Sequence, residues 1–208
     1  SNAVTMIVNP LLPVSVSIVG SANQVCWGTS VTFTATPTNG GSSPAYQWKV
    51  NGANVGTNSP VYTYIPINND IVSCELTSNA TCATGSPATS NAVTMIVNPL
   101  LPVSVSIVGS ANQVCFGTSV TFSATPTNGG SAPSYQWKVN SVNAGTNSPV
   151  YSYIPVNNDI VTCELTSNAT CATGSPATSN AVTMIVNPLL PVSVSIVESA
   201  NQVCFGTS

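Results

Sequence analysis

The sequence predicts an all-β chain of tandem β-sandwich domains, and three observations carry that prediction. The segment Ser1-Asn2-Ala3-Val4-Thr5-Met6-Ile7-Val8-Asn9-Pro10 returns unchanged at Ser90 to Pro99 and at Ser179 to Pro188, an 89-residue period. Leu12 to Leu100 laid over Leu101 to Leu189 differs at ten of 89 positions, mostly mildly, as in Trp27 against Phe116 and Ile67 against Val156. A period that long is one small domain per repeat, not one turn of a solenoid. Second, helix signals are nearly absent: Val, Ile, Thr and Tyr alternate with small polar residues between Gly, Pro and Asn breaks. Third, 43% of residues are apolar, enough to build a core, so the chain is not of the disordered type.

The repeat sets the expected domain organisation. Residues 1–11 read as the last strand of a preceding repeat plus its linker. Residues 12–100 form repeat one, 101–189 repeat two, and 190–208 the start of a third. Ser1-Asn2-Ala3 resembles a tag-cleavage scar, but the same triplet at Ser90 and Ser179 marks it as native. The sequence therefore reads as a piece of something longer.

Within repeat one the strands follow from alternation. Val14-Ser15-Val16-Ser17-Ile18 alternates apolar and polar, as does Val31-Thr32-Phe33-Thr34-Ala35. Thr38-Asn39-Gly40-Gly41 breaks the chain. Tyr46-Gln47-Trp48-Lys49-Val50 follows, with Trp48 expected inside and Lys49 outside, and Asn51-Gly52 is a hairpin signal. Val61 to Ile65 is the next strand, ended by Pro66, and Asn68-Asn69-Asp70 makes a turn. Val72-Ser73-Cys74-Glu75-Leu76 should face Val72, Cys74 and Leu76 inward. A polar loop, Ser78 to Thr89, leads to a final strand at Ala92 to Val97. Asn98-Pro99-Leu100-Leu101-Pro102 closes the repeat. With two Pro in five residues this linker is stiff, and Leu100 and Leu101 are left to pack. Short strands about 10 residues apart suggest a sandwich.

Trp48 on one strand and Cys74 on another, with the same pair at Trp137 and Cys163, look like the immunoglobulin pattern. The strings Cys26-Trp27-Gly28-Thr29-Ser30-Val31-Thr32-Phe33 and Tyr46-Gln47-Trp48-Lys49-Val50-Asn51-Gly52 resemble the Ig-like and PKD-like repeats of large bacterial surface adhesins. The resemblance covers both full repeats and implies tandem immunoglobulin-like β-sandwiches in a secreted stalk or adhesin. Two positions depart from antibody-type domains. Ala35 stands where the partner of Cys74 should be, and Val72 replaces the corner Tyr. The usual disulfide between those strands is therefore ruled out, and Trp48, Cys74, Trp137 and Cys163 are assigned to the core.

The seven cysteines are Cys26, Cys74, Cys82, Cys115, Cys163, Cys171 and Cys204. Their spacings match no zinc ribbon or redox CxxC pair, and the chain has no His. The low-charge, Asn- and Thr-rich character suits an oxidising exterior, where Cys residues pair. Cys26 and Cys82 fall at opposite ends of one sandwich. A strand of that length separates them by roughly 20 Å, against the 7 Å or so that a disulfide allows. In an Ig array those two ends belong to facing neighbours. The expected bond is therefore Cys26 to Cys171, repeated along the array, with Cys115 reaching forward, Cys82 pairing backward and Cys204 continuing the series. Cys74–Cys82, Cys26–Cys82 and bonds between separate chains are the alternatives.

Composition excludes several function classes. Only seven residues are charged, 3% of the chain, against about 25% in ordinary globular proteins. No basic patch exists for nucleic acid, and no apolar run approaches the ~20 residues of a membrane span. Without His there is no Ser-His-Asp or Cys-His set. Asp70 and Glu75 are expected on opposite sides of their strand, which argues against a glycosidase pair. Asp70 with Asn68 and Asn69 is thin for calcium and reads as an Asx-type turn. No catalytic, cofactor or metal site is expected. Asn79-Ala80-Thr81 and Asn168-Ala169-Thr170 match the N-glycosylation pattern, in a bacterial protein by chance. Tyr62 and Tyr64 share one strand face and are expected to pack rather than bind sugar.

A near-neutral surface favours association between copies. Near-identical units on identical joints suit an extracellular or cell-surface filament or stalk whose partners are copies of itself. An adhesin binding glycans directly, and an enzyme's accessory array, are the competing readings. The strand sequence at Ser1 to Val8 either belongs to a preceding repeat or completes a sheet of another chain.

Overall fold

A computed structural model describes residues 3–197 together with 205 and 206. It contains strands and turns and, among the described residues, no helix. The chain divides into two compact units, Ser1–Pro102 with Ala169–Thr173, and Val103–Asn168 with Gly174–Ser208.

In the first unit the alternating segments form two sheets. One contains β2 (Ser15–Gly20), β4 (Val31–Thr38) and β7 (Val61–Tyr64), in the order β2-β4-β7 and all antiparallel. The other is built on β5 (Ala45–Val50) and β8 (Ile71–Thr77). On its outer sides lie β6 (Ala53–Val55) and two short strands, β10 (Ala88–Thr89) and β11 (Val93–Thr94), that share β8. Period-two alternation sends one residue in two inward. Val16, Ile18, Val31, Phe33 and Ala35 come from the first sheet; Trp48, Val72, Cys74 and Leu76 come from the second. All are buried in one cluster. Trp48 lies opposite Cys74 in the β5–β8 register, and its indole N–H donates to the Ser59 carbonyl at 2.8 Å.

The β5–β6 hairpin turns on Asn51 and Gly52, both in the left-handed region at φ 52° and 80°, the geometry a two-residue primed turn requires. At Gly56 a Cβ would sit 2.8 Å from the Tyr62 ring, so only glycine lets the ring lie there. Tyr62 stacks on Trp48 and on Tyr64 at centroid distances of 5.8 and 5.2 Å. The inward face of β7 is thus its tyrosine face.

Three segments differ from the sequence expectation. The final strand, expected as one piece from Ala92 to Val97, splits. β11 pairs antiparallel with β8, the fully buried Met95 intervenes, and β12 (Ile96–Asn98) runs parallel to β3 (Gln24–Cys26). Turning Met95 into the core makes the chain change sheets at that residue. Cys26 thus lies in a strand of its own. The expected loop from Ser78 to Thr89 holds β9 (Ala83–Thr84), parallel to β1 (Leu12–Pro13), and then β10. Leu101 of the linker is not left free: Leu101–Pro102 pairs with Ala172–Thr173, the equivalent of the β1–β9 pair.

Asp70 is buried and fully engaged. Its Oδ1 accepts from Asn51 Nδ2, and its Oδ2 accepts from the Ile67 N–H and the Tyr64 hydroxyl. The Ile67 bond reaches three residues back and closes the turn from its far end, where the expected Asx form would have reached two residues onward. The Tyr64 bond ties the turn to the sheet, at the end of the sandwich where Val72 stands in place of a corner tyrosine. Residues 104–187 repeat these strands and contacts, with Phe122, Trp137, Cys163 and Met184 in the core. Residues 3–11 carry no strand, and Val4, Met6 and Val8 are exposed.

Candidate functional site

The chemistry of this chain concentrates in its sulfur atoms. Cys74 lies between the sheets without exposure, its thiol pushed up from about 9 to about 11. Burial is the main cause, the Glu75 charge adds to it, and a backbone hydrogen bond at Gln47 opposes it. Cys163 is its counterpart and is raised for the same reason. Both are inert packing groups at neutral pH, because the thiolate is the reactive form.

Cys26 and Cys171 are joined in a disulfide across 145 residues of sequence. Local structure makes that distance short. Cys26 ends β3 and pairs with Asn98 in β12, and the Trp27 N–H donates to the Asn98 carbonyl at 2.8 Å. Three residues on, the Leu101 N–H donates to the Cys171 carbonyl at 2.9 Å. The bond therefore runs beside the Asn98-Pro99-Leu100-Leu101-Pro102 linker. Cys171 belongs to the second sequence repeat but to the first compact unit. Its backbone is left-handed, at φ 64°. Such a conformation is uncommon for a residue other than Gly, Asn or Asp and aims the side chain out of the tight turn that starts at Ala169.

Cys82 repeats that conformation at φ 60°, with a free thiol. Cys115, the counterpart of Cys26, is free and exposed. Cys204 lies outside the described residues. Sequence reasoning singled out these cysteines but missed β3, which positions Cys26, and the left-handed turns, which position Cys82 and Cys171. Three residues of Gln-Val-Cys are too few to show a periodicity.

Among the described residues the charged side chains form no reactive set. Lys49 pairs with Glu75 on the outer face of β5 and β8, and Lys138 with Glu164 likewise. Asp70 is taken up by its turn. Among the described residues no group of three His, Cys, Asp or Glu side chains is placed to hold a metal ion. No helix among them is long and apolar enough to cross a membrane. Asn79 in the Asn-Ala-Thr triplet uses its side chain within the fold, accepting from the Ser43 N–H and donating to Ser42.

A three-stranded sheet faces a second sheet, with Phe33 of the first against Trp48 of the second at a centroid distance of 6.4 Å, and a parallel pair is added by the split last strand. Each repeat is an immunoglobulin-like β-sandwich. No protein-family model matches the chain, and no curated protein matches it. Solved structures do. A Ca²⁺-stabilised adhesin with which an Antarctic bacterium binds ice is 14% identical over 86% of this chain and 50% of its own, at a TM-score of 0.47. Murine CEACAM1b is 14% identical over 83% of this chain and 100% of its own, at 0.38. Fibronectin(III)-like modules of Clostridium thermocellum CbhA are 12% identical over 86% and 100%, at 0.35. The chain spans half the length of the ice-binding adhesin structure.

Proposed function

We propose that this chain is a structural segment of an extracellular filament or cell-surface stalk, built from tandem immunoglobulin-like repeats and stapled by disulfides. The observation that carries the reading is the Cys26–Cys171 bond, which runs beside the proline-bounded linker. A covalent tie beside the linker restrains the chain there. A tether meant to flex would leave the joint open. Repetition adds to this, since identical units on identical joints propagate one geometry, and contacts that do not close on themselves extend as a fibre. A surface with two Lys, no Arg and five acids keeps copies from repelling each other. An oxidising exterior is the compartment in which such a staple persists. Electron microscopy of native material tests the proposal: continuous rods or fibres support it, and dispersed flexible beads overturn it.

The competing reading is an adhesin whose repeats bind glycans directly. Tyr62 and Tyr64 do not serve it, because they pack inward. The exposed indole of Trp27 does favour it, since an open aromatic face stacks on sugars. A glycan array with the chain and its Trp27→Ala variant separates the two readings. Binding that depends on Trp27 supports the adhesin.

A further inference from the structure

A disulfide that skips 145 residues changes the route by which tension crosses a chain. Force follows the shortest covalent path. Pulled from any point before Cys26 and any point after Cys171, the chain passes its load across the two sulfurs. Residues 27–170 then form a loop outside the path. That loop holds β4 to β12 of the first unit, with Trp48, Cys74 and Met95.

The stretch of repeat one left in the path is already extended. Leu12 to Cys26 is mostly strand, with β1, β2 and β3 in succession. A strand rises about 3.3 Å per residue, close to the ~3.3–3.6 Å that a fully stretched residue spans. Detaching this stretch therefore lengthens the path little, and tension gains little by doing it. The stretch is also bound along its length. The Leu12 and Val14 N–H groups donate to the Cys82 and Thr84 carbonyls, each at 2.9 Å. β2 pairs with β4 over six residues. The Asn91 amide accepts from the Ile18 N–H and donates to the Ile18 carbonyl, at 2.9 and 3.1 Å, as a strand residue would. β3 pairs with β12 up to Cys26 itself. Antiparallel ladder bonds stand across the strand, so a pull along its axis loads them together instead of one after another. Without the sulfur bond the path takes in every residue. Opening one 89-residue repeat then adds about 300 Å of contour, and that gain is what lets force unfold a domain.

We infer that the Cys26–Cys171 bond is a tension bypass, which keeps the first repeat folded and withholds its length when the chain is pulled. The inference rests on the filament reading for the source of the load. The bypass also guards its own sulfur. Cys74 lies inside the bypassed loop and is fully buried. An unfolded repeat would present its thiolate, which attacks the Cys171 sulfur, forms a Cys74–Cys171 bond and releases the Cys26 thiolate, lengthening the path. With no tension on the sheets that cover Cys74, that exchange has no opening.

The test pulls single molecules of the whole chain between tags fused to its two ends and attached without thiol chemistry. Oxidised chain and Cys82→Ser should reach a final contour shorter by about 500 Å than reduced chain, Cys26→Ser and Cys171→Ser, the length of the 145 bypassed residues. The reduced chain serves where a Ser variant fails to fold. A second readout asks whether repeat one stays closed. In a Cys163→Ser background, Cys74 is the buried thiol that reports, and a maleimide on it stops the sheets from reclosing. Cys26→Ser pulled in maleimide should lose one of its two repeat-length steps on the second pull. Oxidised chain held at the same force in maleimide, then freed of it and reduced, should show both. Equal contours for oxidised chain and Cys26→Ser, or a lost step in the oxidised chain, overturn the inference. Electron microscopy of native material keeps the two proposals apart. Rods or fibres together with equal contours would retain the filament and sink the bypass. A shortened oxidised contour together with dispersed flexible beads would retain the bypass and sink the filament.

Discussion

Replacing Cys26 with Ser tests what the existing staple contributes to stability. The bond closes a loop of 145 residues. In the chain-entropy treatment, a cross-link of that span removes denatured-state freedom worth about 5 kcal/mol at 25 °C. When only residues 103–171 unfold, the loop opened has roughly 70 residues, and the same treatment gives about 4 kcal/mol. Measured losses fall to about 2–4 kcal/mol for typical disulfides, still a large share of the ~5–15 kcal/mol that holds an ordinary domain folded. Urea unfolding reports it through Trp48 and Trp137, both without exposure. With a slope of about 1–2 kcal/mol/M for domains of this size, the midpoint should fall by roughly 2 M in Cys26→Ser against the oxidised protein. Cys171→Ser should match it, and so should the reduced protein. Cys82→Ser should change nothing, because Cys82 has no partner. Equal midpoints for oxidised protein and Cys26→Ser, or an equal fall in Cys82→Ser, would refute the reasoning.

Three further outcomes follow from the core and from the buried Asp70. Met95→Ala should cost about 2–4 kcal/mol in urea unfolding, because a fully buried side chain is lost and the cavity fills only in part. Asp70→Ala strips the acceptor from Asn51, Tyr64 and Ile67 and should cost about 2–3 kcal/mol, with Asp70→Asn recovering part of it in the same assay. Stability should be flat at neutral pH and fall as pH rises from about 9 towards 11. The Cys74 thiol is raised in the folded state by burial, and Tyr64 is raised by burial and by Asp70. Above the ordinary thiol value the unfolded chain binds fewer protons than the folded one, so the slope is negative. A pH series of urea midpoints checks it, and a thiol reagent at pH 8 should label Cys74 only after denaturant is added.

How far the fold can be read from the sequence depends on strand length. Val14 to Ile18, Val31 to Ala35 and Val72 to Leu76 carry enough alternation to show their inward residues, and the structure buries those same residues. Trp48 opposite Cys74 follows from the same pattern, and so does the pairing of Tyr62 and Tyr64 on one face. The two-residue and three-residue strands β1, β3, β9 and β10 escape, because a periodicity needs more positions than they have. Met95 escapes for another reason. A chain that changes sheets keeps its side chain inward on both sides of the crossing, which reads as one continuous strand. The cysteine ends were legible because a disulfide has a short reach and a sandwich is long, so distance alone argued against a bond within one repeat. The left-handed backbone at Cys82 and Cys171 has no signature in a Thr-Cys-Ala string.

The buried thiol of Cys74 has a consequence for biogenesis. Each repeat emerges with three cysteines, and while the chain is unfolded any two can pair, so oxidation at that stage traps wrong partners. Closing the two sheets over Cys74 withdraws it from exchange and leaves only the end cysteines reachable. Collapse of each sandwich must therefore come before its sulfur chemistry. The order is enforced by packing, and a completed staple is a record that the domains on both sides of it had already folded.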